Sequence, residues 1–109
     1  MAYNIELAER LRIALEPLPG LTEKKMFGGI AYLLNGNMLC GVLNDDLILR
    51  LGKDGYQAAM SQEHTRPFDI TGRPMSGWLM VDLSGCEDDV RLNAWIDQAL
   101  TFVNTLPAK

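Results

Sequence analysis

A chain of 109 residues with 48% apolar and 22% charged side chains has the composition of one soluble globular domain, expected to span 1–109. Fourteen acidic against ten basic residues give a net charge of −4 and a pI near 4.8, which argues against autonomous nucleic-acid or membrane-surface binding. The two cysteines fit no metal-ligand spacing, and no apolar run approaches the roughly 20 residues of a membrane span.

The first element reads as a helix. Asn4 suits its N-cap, Glu6 its first turn, and Leu7, Leu11, Ala14, Leu15 and Leu18 recur at helical spacing until Pro17 and Pro19-Gly20 stop it. Charge runs through the apolar positions of this segment, unlike a secretory signal, so the expected compartment is the cytoplasm.

Three apolar runs follow. "MFGGIAYLL" leads into Asn35-Gly36, a two-residue hairpin signal because both positions accept positive φ; "MLCGVL" and "LILRL" come next. They predict an antiparallel meander from about Met26 to Leu51, its first two strands apolar on both faces and therefore central. "GKDGYQAAMSQ" is a short helix candidate, a brief extended piece is expected around Phe68 and Ile70, and "WLMVDL" predicts a strand over Trp78–Leu83. The closing "CEDDVRLNAWIDQALTFVNTLP" is the strongest helix, with Leu92, Trp95, Ile96, Ala99, Leu100 and Val103 on one face and Glu87–Asp89 at its positive end. The order α-β-β-β-α-β-β-α implies a two-layer α+β domain, with helices on an antiparallel sheet of four to five strands.

The glycine pair in "KKMFGG" is no phosphate loop. The lysines precede the glycines, and a strand rather than a helix follows them. Glycines inside a strand mark a bulge or a close backbone approach. His64 is the single histidine, which excludes a multi-histidine metal site; a loop histidine of this kind is expected to hydrogen-bond backbone. Asp45-Asp46 and Glu87–Asp89 are explained by a turn and a helix start. Cys40 reads as a small buried hydrophobe, and the acids beside Cys86 oppose a reactive thiol. No catalytic residue, cofactor or metal is expected. Arg50 lies within an apolar strand, while Arg66 and Arg73 each precede a proline. These arginines could pair with Asp69 or Asp82. Alternatively Lys25, Arg50, His64, Arg66 and Arg73 could meet at an anion or an acidic partner surface.

Together "TEKKMFGGIAYLLNGNMLCGVLNDDLILRLG", "RPFDITGRPMSGWLMVD" and the amphipathic last helix resemble the TfoX/Sxy N-terminal domain family, from Leu7 to Pro107. The signature positions are Lys25, Phe27, Gly28, Gly29, Arg50, Arg66, Pro67, Gly72, Arg73 and Pro74. The resemblance implies a two-layer α+β fold similar to secretion-chaperone-like domains. Named members are bacterial regulators of natural competence that assist a cyclic-AMP-dependent transcription activator, and they usually carry a second, C-terminal domain not seen in these 109 residues. The implied role is a non-enzymatic module making protein contacts, with transcription machinery as the expected partner and neither nucleic acid nor membrane bound directly. The alternative is an anion- or metabolite-binding module built on the arginines. A homodimer through a sheet edge or the final helix is left open by the sequence.

Overall fold

A computed structural model describes residues 3–26, 28–68 and 77–107. Helix α1 (Ile5–Leu15) opens the fold, and the Asn4 side chain accepts the Leu7 N–H at 3.0 Å as the sequence predicts. Four strands follow: β1 (Leu21–Met26), β2 (Gly29–Leu34), β3 (Asn37–Leu43) and β4 (Asp46–Arg50). Then come α2 (Gly52–Ala59), β5 (Thr65–Pro67), β6 (Trp78–Val81), a 3₁₀ turn (Leu83–Cys86) and α3 (Asp89–Val103). All strands join one antiparallel sheet in the order β1-β2-β3-β4-β6-β5.

The α+β class and the helix positions match expectation, but among the described residues the sheet has six strands rather than four or five. The added strand is β1, whose polar "TEKK" precedes the expected meander and is an edge strand paired along its whole length with β2. The meander therefore begins at Leu21, not Met26. Only two residues separate Met26 from its partner Gly29, and Gly28 takes φ of 77° there. Gly29 has a different reason to be glycine: a Cβ would run into the carbonyl oxygen of Val42 on β3. The Asn35-Gly36 hairpin forms as predicted, with φ of 53° and 87°. The short extended piece lies at Thr65–Pro67, before Phe68, whereas Ile70 falls outside the described residues; β6 ends at Val81 because Asp82 caps the 3₁₀ turn.

A bulge in β3 explains why its sequence looks apolar on both faces. Tyr32 pairs with Cys40 but Leu33 pairs with Met38, leaving Leu39 as the extra residue. Leu39 and Cys40 both become fully buried on the helix side, and Met38 passes to the outer face. On the helix side, Leu7, Leu11 and Leu15 of α1 and Leu92, Ile96, Ala99 and Val103 of α3 pack on Tyr32, Val42, Leu47, Leu49, Leu79 and Val81. Tyr32 is 1% exposed and its hydroxyl donates to the Ala8 carbonyl at 2.8 Å, fixing α1 on the sheet. Burial raises the Tyr32 phenol well above its ordinary pKa.

Both ends of the described chain are tied to β3. Tyr3 bridges to Asn44 just past the strand, and the buried Asn37 side chain at its start donates to the Pro107 carbonyl at 2.9 Å. No helix among the described residues is long and apolar enough to cross a membrane.

Candidate interaction surface

The sheet face turned away from α1 and α3 carries two of the signature arginines, Arg50 and Arg66. Pleating alternates side chains, so Ile48 and Arg50 of β4 share this face with Trp78 and Met80 of β6 and Arg66 of β5. Ile48, Phe68 and Met80 form a second small core here, with Met38, Leu43 and Trp78 only half-buried against it. Phe68 and Trp78 have ring centroids 6.1 Å apart.

Arg50 and Trp78 face each other across β4 and β6. The guanidinium carbon sits 5.3 Å from the Trp78 ring centre and 5.8 Å from that of Phe102, placing the cation between two aromatic faces. Phe102 comes from the last turn of α3, so Arg50 links the outer face to the helix layer. Gly77 (φ 93°) locks this corner by accepting the N–H groups of Leu51 and Gly52 at 2.8 and 3.2 Å.

Arg66 is ion-paired, but with neither of the acids expected. Its Nη2 lies 2.6 Å from Asp46 Oδ1, and Asp46 is only 17% exposed. Asp46 reaches it because β4 and β5 flank β6, a placement set by strand order rather than by distance along the chain. Asp82 is engaged elsewhere, and Asp69 lies outside the described residues.

His64 belongs to another region. It has φ of 68°, and its carbonyl accepts the Asp82 N–H at 2.9 Å. The imidazole meets a side chain rather than the backbone partner expected: Nδ1 lies 3.2 Å from Asp82 Oδ1. Asp82 also accepts the Gly85 N–H at 3.2 Å. A Cβ on Gly85 would come within 2.6 Å of Val81 Cγ1 and 2.8 Å of His64 Cβ, so the turn closes only over glycine. The Gly85 carbonyl accepts the Trp95 indole N–H at 3.2 Å. Between Gln62–His64, Gly85 and α3 lies an open groove of about 510 Å³, to which α3 contributes Arg91, Trp95 and Gln98.

The sheet brings Arg50 and Arg66 onto one face and leaves the other named residues apart. Lys25 stands on β1 at the opposite edge from Arg66, five strand spacings or roughly 24 Å away. Arg73 lies outside the described residues, as do Phe27, Gly72 and Pro74 of the signature. The partners are residues to which the sequence assigns no such role: Asp46, read there as part of a turn, Trp78 and Phe102 for the arginines, and Arg91 and Gln98 beside His64. The cross-strand pairing that assembles the first group spans long stretches of chain, and no local pattern signals it.

Both thiols are buried. Burial pushes Cys40 up to about 12 and Cys86 up to about 11, which leaves each protonated near neutral pH. Among the described residues, no three His, Cys, Asp or Glu side chains are grouped to hold a metal ion.

Residues 14–103 match the TfoX N-terminal domain, and the chain belongs to that family. No curated protein matches the chain.

Proposed function

We propose that this domain is a non-enzymatic regulatory module of the bacterial cytoplasm, acting through protein contacts in transcriptional regulation as the TfoX competence regulators do. Membership of the TfoX N-terminal family over residues 14–103 carries the reading. The outer sheet face supports it with the chemistry of a contact surface. Half-buried Met38, Leu43 and Trp78 lie beside Arg50 and the half-exposed Arg66, and interface centres are rich in aromatic residues, Met and Arg.

The test is capture from purified components: the tagged chain, bacterial RNA polymerase and a cyclic-AMP-dependent activator. The expected result is retention of one of them, and its loss with Arg66→Glu or Met38→Ser. Arg66→Glu sets a carboxylate against Asp46 and Met38 packs on the second core, so circular dichroism first establishes that each variant is folded. Retention of neither component, or retention unchanged in both variants, refutes the proposal.

A further inference from the structure

The two edges of the sheet differ. Strand β5 has three residues and ends in Pro67, which has no N–H to offer. Strand β1 has six residues, with Thr22, Glu23, Lys24 and Lys25 exposed. We infer that β1 pairs antiparallel with β1 of a second copy of this chain, about a two-fold axis through Lys24.

The register follows from the hairpin. Met26 and Gly29 flank a two-residue connection and therefore form a hydrogen-bonded pair. Bonded pairs alternate along an antiparallel ladder, so Lys24 and Thr22 also direct their backbone groups at β2. Those of Leu21, Glu23 and Lys25 point outward and, among the described residues, have no other strand to bond. Pleating puts Glu23 and Lys25 on the helix side, opposite Tyr32 and Ile30, and Thr22 and Lys24 on the outer side, opposite Leu33 and Ala31.

A two-fold axis perpendicular to the sheet keeps each face continuous, so it must pass through a residue position and not between two. An axis at Glu23 sets Glu23 against its own copy, and one at Lys25 does the same for Lys25; both place like charges in direct opposition. An axis at Thr22 sets Glu23 against Leu21 and leaves Lys25 beyond the strand. An axis at Lys24 sets Glu23 opposite Lys25 of the second copy twice, each time as a hydrogen-bonded pair on the same face. Its one unfavourable contact is Lys24 against its copy on the outer side, which keeps the association reversible. Lysine at an edge generally discourages pairing. Here the two Glu23–Lys25 pairs favour the register centred on Lys24 over the others.

A second feature lies where this register needs it. Beside β1 on the helix side is a cleft of about 260 Å³, lined by Leu18, Leu21 and Glu23 and by Arg12 and Glu16, which lie 3.9 Å apart. Glu23 makes no ion pair among the described residues and is the carboxylate that meets Lys25 of the second copy.

Sedimentation of the whole chain over rising concentration tests the inference, with circular dichroism confirming that each variant is folded. Wild type is expected to move from monomer toward dimer. Glu23→Lys should weaken association by about tenfold, and Glu23→Lys with Lys25→Glu should restore it. Lys24→Thr should tighten it by removing the central repulsion. In wild type, hydrogen exchange at the Glu23 and Lys25 amides should slow as concentration rises, while that at Lys24, already bonded to β2, should not change. A monomer at every concentration overturns the inference. So does a dimer indifferent to Glu23→Lys, or a charge swap that fails to restore association.

Discussion

Gly28 and Gly29 sit side by side for unrelated reasons. Gly28 supplies a positive φ, and Gly29 lets β3 approach so closely that a single methyl would meet the Val42 carbonyl. Gly41 of β3 stands in the reciprocal position, where a Cβ would lie 2.5 Å from the Ile30 carbonyl. Gly29→Ala should therefore destabilise the domain by about 1–3 kcal/mol through overpacking against backbone that cannot rotate away, measured by urea denaturation. Arg50 is the other position where one side chain matters to the fold. Arg50→Ala should lower stability by about 1 kcal/mol by removing the cation between Trp78 and Phe102, with Arg50→Lys recovering only part because an ammonium does not stack. An unchanged unfolding midpoint in Arg50→Ala would show that the aromatic contacts contribute nothing.

At the level of elements, β3 shows how a one-residue insertion redistributes a core. Strict alternation from Val42 would turn Cys40 and Met38 toward the helices and Leu39 away from them. The bulge instead buries Leu39 and releases Met38. Leu39→Ala should cost about 2–5 kcal/mol, as a cavity under two helices does, and Met38→Ala distinctly less. The reverse ranking would mean that the strand is regular. The helices and the Asn35-Gly36 hairpin were legible in the sequence because caps, periodicity and turn residues act over a few neighbouring positions. Strand β1 was not, because an edge strand in water shows no apolar alternation: Thr22 to Lys25 are polar on both faces. The arginines could be recognised as unusual in the sequence, but their partners could not. Arg50 finds Trp78 through the β4–β6 register, and Arg66 finds Asp46 across β6.

For the whole molecule, buried ionisable groups make stability depend on pH on the alkaline side. Cys40 and Cys86 have folded pKa values pushed up from 9.0 to about 12 and about 11, and Tyr32 is also raised, in each case chiefly by burial. A group raised in the folded state holds its proton while the unfolded chain releases its own, so its contribution is complete below the unfolded value. It is lost as pH rises through the folded one. Denaturation in reducing buffer should show stability falling from pH 9 toward pH 11. The fall should be shallower in Cys40→Ala, whatever its baseline, since no thiol remains there to ionise. An identical slope in the variant would remove Cys40 as a cause.

The ties from Tyr3 to Asn44 and from Asn37 to Pro107 also govern how the domain can be joined to others. They hold the two ends of the described chain at opposite ends of the seven-residue β3, roughly 20 Å apart. A circular permutant would need at least about six extended residues between Pro107 and Tyr3 to close that gap without pulling either tie, four of which the chain's own residues 108–109 and 1–2 supply. Copies fused head to tail would be strung along the strand direction, leaving the β1 edge and the outer sheet face uncovered by the connection.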